Sequence, residues 1–173
     1  FRYEAMVGRF GQEAQLVNGS GRSLLFSTPS GEDLDVAGTN VTLVAPPGVL
    51  DTLTYKPGVP SFELTIAKQR LTYVYGAVVD RSIFHLTAIR DRFGNQVTLD
   101  VNTTNGRINW LRDPLGQQFT FAYNGAGLCS GITTPDGRTL GFAYDADKNL
   151  TGITDMMGYA ATYTYDADGF LQT

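Results

Sequence analysis

The residues best suited to chemistry are two short acidic runs, Asp145-Ala146-Asp147 and Asp166-Ala167-Asp168-Gly169. Alternating carboxylates before a glycine resemble the opening of a calcium loop. Such a loop needs further oxygen ligands and a closing glutamate at its twelfth position, and neither run supplies one. The aspartates therefore read as turn residues that hydrogen-bond their own backbone. His85 is the single histidine. A metal site needs several ligands, and a catalytic triad needs a nucleophile on a sharp turn. Ser20, in Asn18-Gly19-Ser20-Gly21, is turn chemistry, and Cys129, the only cysteine, has no internal disulfide partner. Paired carboxylates occur only in the two turns. The expectation is no catalytic residue, no metal and no cofactor.

Composition narrows the remaining classes. Hydrophobic residues make up 42% of the 173, enough to bury a core, and no apolar run is long enough to span a membrane. The formal net charge is −4, with Lys and Arg scattered singly. Nucleic-acid binding needs a concentrated positive surface, so it is not expected. The first residues, Phe-Arg-Tyr-Glu-Ala-Met, have neither a basic start nor an apolar signal core, and the lack of an initiator Met reads as a piece of a longer chain. Asn-x-Ser/Thr triplets at Asn18, Asn40, Asn102 and Asn149 arise readily by chance in such a chain and say little about compartment.

The elements that position these residues are strands. Twenty glycines, nine tyrosines, ten phenylalanines and many threonines favour strands and turns over helices. Internal periodicity is the strongest signal. Four segments align on a glycine: Asp-Arg-Phe-Gly at Gly94, Asp-Pro-Leu-Gly at Gly116, Pro-Asp-Gly at Gly137 and Asp-Met-Met-Gly at Gly158, in steps of 22, 21 and 21 residues. Three residues past each glycine stand Val97, Phe119, Leu140 and Ala161. Five past stand Leu99, Phe121, Phe142 and Tyr163, and seven past stand Val101, Tyr123, Tyr144 and Tyr165. The three columns share a parity, so they share one face of a pleated strand, while Gln118, Thr120 and Thr162 face the other way.

A second turn follows the last column, as Tyr-Asn-Gly-Ala-Gly-Leu-Cys from Tyr123, Tyr-Asp-Ala-Asp-Lys-Asn-Leu from Tyr144 and Tyr-Asp-Ala-Asp-Gly-Phe-Leu from Tyr165. A short strand then carries Ile108 with Leu111, Cys129 with Ile132, and Leu150 with Ile153. That spacing of three breaks strict alternation, and either a bulge or a strand covered on both faces would produce it. Cys129 shares a column with Leu150 and Leu171, which makes it a small core residue. Trp110 either faces a groove or caps the ladder. Each unit is strand, turn, strand, turn, and stacked units make one continuous sheet with aromatic ladders. Residues 1–85 lack the period but alternate in the same manner at Phe62, Leu64 and Ile66 and at Leu71, Tyr73 and Tyr75.

The stretch from Tyr144 to Tyr165 resembles the YD or RHS repeat: Tyr-Asp-x-x-Gly-x-Leu, then Ile-Thr-Asp-x-x-Gly, then Tyr-x-Tyr-Asp. Lys148 departs from its usual glycine and Asn124 from its usual aspartate. The resemblance covers residues 86–173, and residues 1–85 look like the irregular β region that precedes such repeats. It implies a long sheet wound into a hollow shell. Bacterial members, including polymorphic toxins of type VI secretion and insecticidal toxin complexes, hold a C-terminal toxin inside. Animal teneurins use a similar shell in adhesion, and carbohydrate binding has been proposed for YD repeats. Asp113-Pro114-Leu115-Gly116 is similar to the element near the self-cleavage site of RHS cores, but Gln117 stands where a Leu belongs and the segment is in repeat phase, so it reads as a repeat turn.

The expectation is an all-β protein: an irregular hairpin region over 1–85, then antiparallel hairpin repeats of about 21 residues over 86–173, stacked into an extended curved sheet that is a segment of a β-shell. Its structural residues are Gly94, Gly116, Gly137, Gly158, Phe119, Phe121, Tyr123, Leu140, Phe142, Tyr144, Tyr163, Tyr165, Leu150 and Ile153. The columns mix Phe and Leu with Tyr, as a packed face would. The expected function is a non-enzymatic segment of an RHS shell enclosing a toxin, secreted or at the cell surface, with the rest of its shell and the toxin as partners and no nucleic acid or membrane span. The alternative is a surface protein whose aromatic rows bind carbohydrate or mediate cell contact.

Overall fold

The computed structural model describes residues 6–17, 23–77 and 82–172, so Ser20 and Asn18 lie outside the described residues. Those residues form fifteen antiparallel strands and no helix. The chain divides into two compact units, Phe1–Ile108 and Asn109–Thr173. The repeat spacing begins earlier, with the turn at Gly94.

In the first unit β1 (Met6–Phe10), β2 (Glu13–Val17), β3 (Ser23–Ser27), β4 (Val41–Thr42), β5 (Thr52–Lys56), β6 (Ser61–Ile66), β7 (Leu71–Ala77) and β8 (Ile83–Arg90) run up and down in sequence order. The alternation read at Phe62, Leu64 and Ile66 is real: these side chains are 0–3% exposed, while Glu63 between them faces outward to Lys56 at 2.7 Å and Arg90 at 3.7 Å. The hairpins also close on themselves. β1 pairs with β8, Val7 opposite Phe84, and at the end of β3 the Ser27 and Val44 backbones exchange hydrogen bonds of 3.2 and 2.7 Å. Val44 follows β4, whose other neighbour is β5, so the eight strands form a ring.

A ring of this size is filled by its own side chains. Val7, Leu16, Phe26, Leu34, Leu53, Phe62, Leu64, Tyr75 and Phe84 are at most 1% exposed. The Phe62 ring sits 5.0 Å from both Tyr55 and Phe84, edge-on to Phe84. Each such side chain contributes roughly 1.5–3 kcal/mol of transfer free energy.

β8 is long enough to have two partners on one side. Ile83–His85 meet β1, and Ala88–Arg90 meet β9 (Gln96–Val101). β7 occupies the other side. β9 thus leaves the ring as a branch.

In the second unit β10 (Ile108–Arg112, which spans the division), β11 (Gln118–Tyr123), β12 (Cys129–Thr133), β13 (Thr139–Tyr144), β14 (Leu150–Thr154) and β15 (Ala160–Thr162) each pair with the next. These are stacked hairpins, as the period predicts. Their burial differs in degree from the ring. Phe119, Phe121, Tyr123, Leu140, Phe142, Tyr144, Leu150, Ile153, Tyr163 and Tyr165 are half-buried, and Thr120, Ala122, Ala143 and Thr162 on the opposite parity are exposed. The parity holds for these residues, whereas Ala161 of the first column is exposed and Gln118 on the opposite parity is half-buried. Nothing within the unit covers the ladder face among the described residues, so its side chains shield one another and are not sealed.

Candidate functional site

The ladder face and its turns make up the surface to which function must be assigned. Seven turns use one loop. At Asp91, Asp113, Asn124, Thr134, Asp145, Asp155 and Asp166, the N–H of the first residue donates to the carbonyl of the fifth, and the N–H of the fourth returns to the carbonyl of the first. The two turn kinds that look different in sequence are therefore the same structure. The first side chain fixes it. Asp113 Oδ1 accepts the N–H groups of Leu115 and Gln117, both at 2.8 Å, and Asp155 and Asp91 do the same within their own turns. The fourth residue adopts positive φ, between 80° and 89° at the six glycines. Glycine does so without steric cost. Lys148, the departure from the pattern, stands at the same position with φ 71°.

The spacing of three is a bulge. Ala122 pairs with Gly131 but Tyr123 with Cys129, so Ser130 is an extra residue. Ala143 pairs with Gly152 and Tyr144 with Leu150, so Thr151 is the extra residue there. One inserted residue reverses the parity, which returns both Cys129 and Ile132, and both Leu150 and Ile153, to the ladder face. The next repeat then caps the bulge. The Tyr144 hydroxyl donates to the Cys129 carbonyl at 2.8 Å, and the Tyr165 hydroxyl donates to the Leu150 carbonyl at 2.9 Å. Tyr163 N–H donates to the Thr151 carbonyl at 2.9 Å. At Tyr144 and Tyr165 the ring belongs to the ladder while the hydroxyl binds the backbone one hairpin back.

This grammar of Asx turn, bulge and tyrosine recurs where the RHS Repeat family model matches the chain, at residues 103–139 and 144–173. These two segments are RHS repeats. No curated protein matches it.

The RHS hairpin also explains residues outside the matched segments. Val74 pairs with Ala88 and Tyr75 with Leu86, leaving Thr87 extra, so the same bulge occurs between β7 and β8. Leu71, Tyr73 and Tyr75 correspond to Leu140, Phe142 and Tyr144, and Leu86 with Ile89 corresponds to Leu150 with Ile153. Sequence reasoning missed this copy because Leu86 stands eleven positions after Tyr75, where Leu150 stands six after Tyr144. The Leu86/Ile89 spacing was the available signal. The one 22-residue step is also located: the loop after Val101 has Asn102 N–H donating to Arg107 O, one residue further along than in the other turns.

The residues singled out for chemistry are dispersed. Asp145 accepts Asn149 N–H at 2.8 Å and its side-chain amide at 3.0 Å. Asp166 accepts the N–H groups of Asp168 at 3.0 Å and Phe170 at 2.8 Å. These carboxylates close their own turns. Among the described residues no three metal-capable side chains converge. The half-buried Cys129 thiol donates to Gly131 O at 3.6 Å. Asp113 makes the bonds of an ordinary repeat turn. Trp110 neither caps the ladder nor joins it: it pairs with Thr120 on the opposite face, with the Arg112 guanidinium 4.8 Å from its ring centre.

The turns with perturbed carboxyls include those of Asp91 and Asp136. The Asn95 amide, followed by the Phe93 and Asn95 N–H groups, holds Asp91 below the usual carboxylate value. The Thr134 hydroxyl, then the Arg138 guanidinium, does so for Asp136. Both are solvent-facing turn locks.

Proposed function

We propose that this chain is a non-enzymatic segment of an RHS-repeat shell that encloses a toxin domain for secretion. The rest of the shell and the toxin are its partners, and a secreted or cell-surface location follows from that reading. The observation that carries it is the half-covered ladder. The sheet is tied hairpin to hairpin by tyrosine hydroxyls, yet among the described residues of its own unit one continuous aromatic and aliphatic face has no layer over it. A wall needs that combination: rigidity along its length, and an apolar side turned from solvent only once the wall surrounds something. The test is protease protection of the full-length gene product. A C-terminal segment should resist a nonspecific protease until denaturant opens the repeat sheet. Cleavage of that segment at native protein at the rate of an unfolded peptide would sink the enclosure reading.

The second reading is stacking of carbohydrate on the exposed ring surfaces of Phe121, Phe142 and Tyr163. Half exposure favours it. The Tyr144 and Tyr165 hydroxyls count against it, since they are engaged with backbone carbonyls and so withdrawn from sugar hydroxyls. Glycan-array binding that Phe142→Ala abolishes would put this reading first.

A further inference from the structure

His85 lies where β8 changes partners, with Met6 opposite on β1 and Gly76 opposite on β7. Phe84 and Leu86 point into the ring core, so the half-buried imidazole between them lies on the outer face. Two glycines shape its surroundings. Gly76 contributes no side chain beside it. Gly106, in the loop that follows β9, approaches so closely that a Cβ there would fall 2.7 Å from His85 Cε1 and 3.1 Å from Nε2. Gly106 has φ 72°, so glycine is required on both counts.

The loop over the imidazole is internally bonded. Asn102 N–H donates to Arg107 O at 2.7 Å, and Gly106 N–H to Asn102 O at 2.8 Å. Asn102 Oδ1 accepts Thr104 N–H at 2.9 Å, and Asn105 Oδ1 accepts Arg107 N–H at 3.0 Å.

We infer that His85 is the catch of an acid-sensitive clip, in which the neutral imidazole seats the 102–107 loop on the outer face of the ring and the imidazolium releases it. The charged residues on the surrounding elements are Arg9 on β1, Asp100 on β9, Arg107 in the loop and Arg90 on β8 itself, with Glu63 beyond. Arg90 is engaged with Gln96 at 3.2 Å and with Glu63. β7 brings only Tyr73 and Tyr75, both turned to the core. An imidazolium under Gly106 would give up hydration, so the covered site favours the neutral form. In keeping with this, burial holds the His85 pKa below its ordinary 6.5. The sign follows: the unfolded or lifted state takes up a proton more readily. Seating is complete above pH 6.5 and weakens as pH falls from there through the lower folded value.

His85 is the only histidine, so its Cε1 proton gives a single resolved NMR titration in the whole chain. The expected midpoint lies below 6.5. Amide protection at Gly106 and Arg107, corrected for intrinsic exchange, should fall by up to about tenfold per pH unit between 6.5 and that midpoint and level off below it. His85→Gln should abolish the acid response, and Asp100→Asn should retain it. Gly106→Ala, which lifts the loop sterically, should expose the amides at every pH and move the histidine midpoint toward 6.5. A wild-type midpoint at or above 6.5, acid-independent loop protection, an acid response surviving His85→Gln or lost in Asp100→Asn, or an unmoved midpoint in Gly106→Ala would each overturn the clip.

Discussion

At the scale of single residues, the Tyr144 and Tyr165 hydroxyls separate a ladder made only of apolar contact from one that is also bolted to its neighbours. Tyr165→Phe keeps the ring and removes the donor to Leu150 O, and Tyr144→Phe does the same for Cys129 O. Each should cost about 0.5–1.5 kcal/mol in urea unfolding, while Tyr159→Phe, at an exposed turn, should cost nothing measurable. Equal effects at all three would remove the bolt. The turn residue with positive φ gives a paired test. Lys148→Gly relieves a left-handed lysine and should stabilise by up to about 1 kcal/mol. Gly137→Val, where open space surrounds the added atoms, should lose roughly 1–3 kcal/mol from backbone strain alone. The depressed carboxyls set the acid limb. Asp91 and Asp136 contribute stability fully above 3.8, the ordinary carboxyl value, and lose it as pH falls through their lower folded values. Asp91→Asn with Asp136→Asn should flatten a pH–stability curve below about 4.

At the scale of elements, burial ranks the strands. Phe62→Ala opens a hole in a sealed core and should cost about 3–5 kcal/mol, whereas Phe142→Ala, on the half-covered ladder, should cost about 1–3. Thr162→Ala on the exposed parity should cost under about 1 kcal/mol. Indistinguishable values for Phe142 and Phe62 would mean that something covers the ladder. The ladder's parity was legible in the sequence because period two survives along β11 and β13. The spacing of three at Leu150 and Ile153 was legible as an irregularity but not as a bulge, since a strand buried on both faces gives the same letters. Only the pairing of Tyr144 with Leu150 and of Ala143 with Gly152 separates the two. The hydroxyl bonds left no trace beyond a tyrosine recurring at 21 residues, which packing alone also permits.

For the molecule as a whole, the ring was illegible. Its hairpins alternate visibly at Phe62 to Ile66, but closure depends on β1 finding β8, and no period links Val7 to Phe84. Hydrogen exchange should make the difference between the units measurable. Amides of β6 and β7, inside a closed and sealed structure, should be the slowest. Those of β11 to β14 should exchange faster, because each hairpin is held by its neighbours alone. Uniform protection across both would contradict the distinction.

The closure between β1 and β8 also fixes an order of events during synthesis. Strand β1 emerges before the other described strands and finds one partner in β2, but its second partner follows more than seventy residues later. Until then an N-terminal edge is unpaired, and long-range closure of this kind is slow. The repeats made afterwards need only adjacent contacts. The hairpins of β10 to β15 should therefore acquire structure on a faster clock than the ring that precedes them, and the nascent chain would be most vulnerable to mispairing while β8 is still inside the ribosome.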